Sequence, residues 1–510
     1  MLRRPGSRNG SQPTWAGNTL SRHSSTRLIQ PIVEVAVRQL RERALSAEKL
    51  LAVAAWADLA GHLEQWLFRI LRPTLSSKLR IVATRSKHFR SRGRVFSIGA
   101  TINFSQLTLH QLFDVLPCGK ESVEIVVAHW IQTQCLMLVR LQRDWDRLLS
   151  IVPESARRHI KHITPGLSDP HARGQTVTVL QFTGGERLVY KPRPCEGERI
   201  WFSALKWLTE EGFRPAFYIP KLISRRNYCW MSFVAYCACN STESVRRFYF
   251  RWGAQAAIAQ LLGCADLHRQ NWIASAEQPV LVDGEMVGSA FLQRGGSNCA
   301  ALSDERLHPL LRTGLLPLSE NDCAGFYRGI APFDNTSFIG EQKTFWPLYS
   351  GKVERPAKYR DQISEGFTAV LSFLRSSSRE KGFHKFVVRA SRRKHVRLLK
   401  RATATYYRLL DDSLQPQNME NRGQRFQYLL NRCGRDPSGM IEARSLLRCC
   451  IPRFMADRNP PRQQCAAIPI LSSMLDSAEL LCSRLDQQSR RQSRCHRLTA
   501  RNQAHFARLR

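Results

Sequence analysis

Asp266-Leu267-His268-Arg269-Gln270-Asn271, followed by Val280-Leu281-Val282 and then Asp283-Gly284-Glu285, sets two acidic clusters on either side of a loop and an apolar strand. Phosphoryl transfer from ATP needs one side chain to accept or orient the attacking hydroxyl. It also needs an Asn and an Asp to hold Mg2+ on the phosphates and a strand-borne Lys to neutralise them. Lys191, Asp266, Asn271 and Asp283 supply that set in the expected chain order. Taken singly, Asp266 reads as a helix cap, His268 as a core histidine and Asp283 as the end of a strand in a surface turn. The chemistry is carried by the order: Lys closing a hairpin strand, a helix, Asp-x-His-x-x-Asn, then an apolar strand and Asp.

Upstream of this stretch, Thr176, Val177, Val179 and Phe182 form a β-rich run, Gly184 and Gly185 a turn, and Leu188, Val189 and Tyr190 a second run ending at Lys191. That pattern predicts a β-hairpin. A helix is predicted from Glu198 to Thr209, a strand from Tyr228 to Val234, and a helix from Ser244 to Leu262 with Gly263 as its C-cap. Apolar residues recur at helical spacing from Pro31 to Leu79 and from Val123 to Ile151. The fold class is therefore α+β. The expected division is a disordered basic arm over 1–30, a helical region over 31–165, a catalytic core over 166–475 and a basic disordered tail over 476–510.

The chain has 510 residues with 77 Lys and Arg against 41 Asp and Glu, a net charge of +36. The excess predicts attraction to polyanions or acidic peptides. Eleven Lys or Arg lie between Arg375 and Arg401, most of them read as solvated surface, and seven Arg follow Gln487. The Arg- and Ser-rich start lacks an apolar signal-peptide core. The longest apolar stretch, Leu50 to Ala60, already contains Asp58, far short of the roughly 20 residues of a membrane span. Fifteen cysteines without a Cys-x-x-Cys pair describe neither a disulfide framework nor a thiolate metal site, which fits a reducing, cytoplasmic setting.

The order of the phosphoryl-transfer residues resembles that of protein kinases and, in its Asp-x-His-x-x-Asn form, of lipid kinases. A closer resemblance lies in four motifs in register. These are Ser168-Asp169-Pro170-His171-Ala172-Arg173-Gly174, Val189-Tyr190-Lys191-Pro192-Arg193, Ala265 to Ala274, and Pro279-Val280-Leu281-Val282-Asp283-Gly284-Glu285. They resemble the dehydratase domain of class II lanthipeptide synthetases, the LanM type, over roughly residues 120 to 460. Tyr228-x-Trp230, Ile363 to Phe367, Arg397 to Tyr406 and Cys450-Ile451-Pro452-Arg453-Phe454 extend the match.

The resemblance implies a bilobal, lipid-kinase-like core with a small β-rich N-lobe, a helical C-lobe and added helical segments. It implies an enzyme of lanthipeptide biosynthesis that phosphorylates Ser and Thr of a ribosomally made precursor peptide with ATP and Mg2+. The phosphate is then eliminated to give dehydroalanine and dehydrobutyrine. On that resemblance Lys191, Asp266, His268, Asn271, Asp283 and Glu285 match the phosphorylation residues, with Asn271, Asp283 and Glu285 at the metal. Asp169, His171, Arg397 and Thr403 match the elimination residues. No tRNA is required, and a separate cyclase and an exporter are the further partners implied. Gln270 stands where the family has Glu, and Gly284 where an apolar residue is usual. No zinc-ligand set and no cyclase domain follow, so the expectation is a stand-alone dehydratase or a truncated synthetase remnant.

Elimination removes a weakly acidic Cα proton while phosphate departs, so it needs a base and fixed positive charge. Arg397 can clamp phosphate bidentately. His171 can act near neutral pH with Asp169 orienting it, and Thr403 can offer its hydroxyl. A lipid or small-molecule kinase without elimination would have no need of these four. A basic nucleic-acid-binding protein would interleave aromatics with its arginines, and between Arg375 and Arg401 only Phe383 and Phe386 occur.

Overall fold

The computed structural model describes residues 22–75, 78–80, 90–91, 94–95, 101–103, 108–152, 159–292, 307–317, 331–333, 344–393, 395–398, 400–457, 474 and 476–487. The chain opens with helices α1 (Arg22–Arg43), α2 (Val53–Leu75) and α3 (Pro117–Asp144). In α1, Ile29, Val33, Ala36 and Leu40 are buried at helical spacing. Residues 22–30 of the expected disordered arm are therefore helical, and residues 1–21 lie outside the described residues.

Helix α3 corrects one expectation. Residues 125–139 contain no Lys, Arg, Asp or Glu, so by length and composition this helix, unlike Leu50 to Ala60, is apolar enough to cross a membrane. Its apolar face is filled instead by protein, with Trp130, Leu138 and Leu141 fully buried.

Strands β1 (Ile160–Thr164), β2 (Thr178–Phe182), β3 (Arg187–Lys191), β4 (Leu222–Ser224) and β5 (Cys229–Ser232) follow, with helix α4 (Glu196–Glu210) between β3 and β4. They form one antiparallel sheet in the order β1-β2-β3-β5-β4. The period of two is visible in burial: Leu188 and Tyr190 of β3 face one buried cluster, and Val189 faces the other. The first cluster joins the sheet to α1, α2 and α3 and to three C-terminal helices; the second joins it to the central helices. Strand β1 precedes the expected 165/166 boundary, yet it pairs with β2 and exchanges backbone hydrogen bonds with the Leu50–Ala52 segment.

Asp144, at the end of α3, anchors that helix to the sheet. Its fully buried carboxylate accepts from Arg225 at 2.7 Å, from the Tyr228 hydroxyl at 2.7 Å and from Trp230 Nε1 at 2.9 Å. Burial would raise its pKa, but these donors outweigh it and hold the group below its ordinary value. The shared Tyr228-x-Trp230 segment thereby gains a physical role.

Helix α5 (Thr242–Leu261) leads to the hairpin β6 (Trp272–Ser275) and β7 (Gln278–Leu281), whose register pairs Trp272 with Leu281. Next come α6 (Arg360–Leu374), α7 (Ser377–Ser391), strand β8 (His395–Leu398), helices α8 (Thr403–Ser413), α9 (Arg422–Cys433) and α10 (Pro437–Leu447), and strand β9 (Phe454–Asp457). Strand β9 pairs antiparallel with β8, setting Leu398 opposite Phe454.

Helices α5 and α6 meet through two glycines. A Cβ on Gly253 would stand 1.9 Å from the Ile363 carbonyl oxygen, and one on Gly366 would stand 1.9 Å from that of Phe250. Backbone cannot yield as a flexible side chain can, so Gly253→Ala is expected to cost about 3 kcal/mol of stability. A lowered urea midpoint reads this out, and an unchanged midpoint contradicts the close approach.

The disordered-tail expectation is corrected over 476–487. These residues form a helix whose Leu481 and Leu485 enter the second core, while Ser477 accepts from Gln260 and Asp486 from Arg360. The rest of that tail, 488–510, lies outside the described residues. Cys195 and Cys229, 34 residues apart, are joined in a disulfide, where the cysteine spacing describes no disulfide framework and a reducing setting is expected. Strand pairing sets Cys229 opposite Lys191, four residues before Cys195, a proximity that cysteine spacing does not disclose.

Candidate active site

Lys191 closes β3 on the same face as Val189 and is 3% exposed. Its ammonium donates to Glu198 Oε1 at 3.0 Å and to the Val282 carbonyl. Glu198 lies in the first turn of α4, where the helix end favours an anion. It also receives Arg193 at 2.6 Å. Burial opposes the charge of Glu198, but Arg193 and Lys191 outweigh it and hold the carboxyl well below its ordinary range.

The start of α4 lies directly on the acidic turn. A Cβ on Gly197 would stand 2.0 Å from the Gly284 carbonyl oxygen, and one on Gly284 would stand 3.0 Å from the Glu198 nitrogen. Glycine at 284, where the resembled family has an apolar residue, therefore answers to space.

Asp266 sits in a loop after α5 with φ +54, a left-handed conformation that Asp tolerates better than most residues. The loop is tied down by hydrogen bonds from the Leu267 amide to Thr313, and from Asn271 Nδ2 to the Asp266 carbonyl at 2.7 Å. The Val282 amide then donates to the Asn271 carbonyl at 2.7 Å, which brings Asn271 beside Asp283. Burial raises the pKa of Asp266, against His268 and Arg397, and His268 Nε2 lies 3.9 Å from its carboxylate.

Asp283 Oδ1 accepts from Arg193 at 2.7 Å and from the Glu285 amide. Its side chain is 36% exposed, so a hard carboxylate oxygen remains accessible one residue after Val282, whose amide is bonded to the Asn271 backbone. Among the described residues no group of three or more His, Cys, Asp or Glu is gathered for a metal. Two oxygen donors, completed by phosphate oxygens, are what Mg2+ commonly accepts, so Asp283 and Asn271 fit the ion. Glu285 is differently occupied: Arg397 donates to Oε2 at 3.0 Å, and Arg453 and Arg193 reach Oε1 at 3.1 and 2.9 Å. Burial would raise Glu285, but these guanidiniums hold it down at about 2.

The other expected set meets the first at Glu285. Arg397 Nη2 lies 3.3 Å from His171 Nε2, and His171 Nδ1 lies 3.0 Å from the Ile451 carbonyl. A carbonyl only accepts, so the ring proton sits on Nδ1 and Nε2 presents its lone pair. Burial, then Arg397, lowers the histidine's pKa and keeps it neutral. Asp169 does not orient His171 as expected. It accepts from the Tyr407 hydroxyl at 2.8 Å, while the Arg69 guanidinium stacks 3.8 Å above the Tyr407 ring. Thr403, half-buried, begins α8 one helical turn before Tyr407.

Lys191, Asp266, Asn271, Asp283, Glu285, Arg397 and His171 are thus linked by contacts. Asp169 stands two residues before His171 and acts on it electrostatically while bonded to Tyr407 of α8, the helix that Thr403 begins. Sequence reasoning passed over Arg193, Glu198, Arg453 and Tyr407 as working residues, although Arg193 and Arg453 stand in the shared motifs. An acid in the first turn of the helix after the Lys strand was the available signal for Glu198. Arg393, expected on solvated surface, is buried and donates to the carbonyls of Glu285 and Val287. Arg401 pairs with Glu442 at 3.0 Å.

Glu198 and Glu285 both have folded pKa values below their unfolded ones. Their stabilisation is therefore complete above the unfolded value, about 4.3, and is lost as pH falls from there toward 2. The urea midpoint is expected to fall more steeply below pH 4 for the native chain than for Glu198→Gln. Parallel pH profiles would contradict the buried ion pairs.

A family described as a domain of unknown function, DUF4135, matches residues 117–344 and 331–457, a span that holds every residue of the site. The "Lacticin 481/lactococcin biosynthesis protein LcnDR2" of Lactococcus lactis subsp. lactis is 25% identical over 338 residues, 59% of this chain and 36% of that protein. The chain spans about a third of the length of this curated relative. With more than half of its residues matched by the family, the chain belongs to DUF4135.

Proposed function

We propose that this protein is an enzyme of lanthipeptide biosynthesis that dehydrates Ser and Thr of a precursor peptide by phosphorylation and then elimination. The observation that carries the reading is the unbroken line of contacts from Asp283 through Arg193, Glu285 and Arg397 to His171. It joins residues suited to phosphoryl transfer with residues suited to phosphate loss. Similarity to a lacticin 481 biosynthesis protein supports the substrate class.

In the first step Asp266, its carboxyl raised by burial, accepts the proton of the substrate hydroxyl. The hydroxyl oxygen attacks the γ-phosphorus of ATP, and the bond to ADP breaks. Lys191, aligned by Glu198, neutralises the nucleotide phosphates. Asp283 and Asn271 would hold Mg2+, which offsets phosphate charge. In the second step neutral His171 takes the Cα proton through Nε2. The electron pair forms the Cα=Cβ bond, the Cβ–O bond breaks, and phosphate leaves onto Arg397 with Thr403 as a further donor. On this reading β3, α4 and the Asp266 loop belong to a kinase-like core. A cytoplasmic location, an acidic leader drawn by the net charge of +36, and a cyclase activity and an exporter acting after dehydration belong to the same proposal.

The test is co-expression with the precursor peptide and measurement of peptide mass. Loss of whole waters supports the two-step enzyme. Stable added phosphate would favour a kinase without elimination, and an untouched peptide despite ATP would favour an inactive remnant.

A further inference from the structure

Three guanidiniums converge on the single carboxylate of Glu285. Arg193 has further carboxylates in Glu198 and Asp283, and Lys191 balances Glu198. Among the described residues Arg397 and Arg453 make their close ion pairs to Glu285 alone, so two largely buried guanidiniums share one contacting carboxylate, while Asp283 acts on both and Asp266 on Arg397 from farther off. Proteins rarely leave a desolvated charge uncompensated. The Arg453 Nε is in addition buried with no hydrogen-bond partner among the described residues, while its Nη2 donates to Glu285.

Strand pairing explains how the two arginines meet. In the antiparallel ribbon Arg397 of β8 lies opposite Met455 of β9, and Arg453, two residues before Met455, leads into that strand. The Ile451 amide donates to Pro170, which brings the Arg453 segment against the His171 loop.

We infer that Arg453 is a second phosphate-binding residue, which with Arg397 forms a two-guanidinium clamp for a phosphomonoester beside His171. A phosphomonoester dianion supplies oxygen acceptors in direct contact for two guanidiniums that now share one carboxylate, and for the idle Nε, and paired guanidinium forks suit its geometry. Assigning the phosphate to a Ser or Thr of the precursor rests on the proposed dehydratase function. The clamp itself rests on two guanidiniums sharing one contacting carboxylate and on the idle donor.

The experiment uses the purified full chain with two variants, Arg453→Gln and Arg453→Lys. Calorimetric titration with inorganic phosphate is expected to show affinity about 10- to 100-fold weaker for Arg453→Gln, with Arg453→Lys between it and the native chain. With precursor peptide and ATP, the ratio of phosphorylated to dehydrated product is expected to rise in Arg453→Gln, because elimination is slowed more than phosphorylation. Equal phosphate affinity in the native chain and both variants would overturn the clamp. So would an equal loss of both steps together with a lowered melting temperature, which would make Arg453 only a structural partner of Glu285. If the native chain dehydrates no peptide yet phosphate binding still falls in the variants, the clamp stands and the dehydratase reading fails.

Discussion

Co-expressed with the precursor, Asp283→Ala is expected to return the peptide at its unmodified mass, with phosphorylation slowed on the order of 10³-fold. Asp283 is the exposed carboxylate of the acidic turn, and its position beside Asn271 is set by the Val282 to Asn271 hydrogen bond. Removing it takes away the charged oxygen that fits a magnesium ion and so the compensation of the nucleotide phosphates. Folding should survive, because Arg193 keeps Glu198 and Glu285 as partners. The check is peptide mass together with an unchanged melting temperature. Dehydrated peptide from Asp283→Ala would remove this residue from the phosphorylation step.

Arg397→Ala is expected to separate the two steps. Phosphorylated peptide should accumulate, with elimination reduced about 10²- to 10³-fold, the usual cost of losing one preorganised donor to a developing anion. Arg397 touches both Glu285 and His171 Nε2, so it sits where a departing phosphate and the base would meet. Glu285 retains Arg193 and Arg453 in its absence, so its charge remains compensated. Mass spectra of the peptide over time, with phosphatase treatment to identify added phosphate, read the outcome. Unmodified peptide would mean that Arg397 serves phosphorylation instead.

Much of the architecture was legible from local pattern. The alternation around Lys191 describes a hairpin strand, and the structure places β2 and β3 there with Val179 opposite Val189. The helix expected from Ser244 to Leu262 is found at Thr242–Leu261. Features without a local period were missed. The burial of Arg393 depends on carbonyls more than a hundred residues earlier in the chain. The Cys195–Cys229 disulfide depends on which strand neighbours β3, and the ordering of 476–487 depends on an apolar surface left open by α5 and α6.

The sequence by itself determined the chemical types at the site and their chain order, because a Lys, an Asp or an Asn carries its charge and donors wherever the chain takes it. It also determined the α+β class, because hydrophobic period is a local property of the backbone. Only the tertiary structure decided which of these groups share a site. Glu285 becomes the meeting point of three arginines drawn from residues 193, 397 and 453, and Asp169 is bound to Tyr407 where His171 was expected. The physical reason is that compensation of buried charge is a long-range constraint, satisfied by packing among distant segments and written in no single one of them.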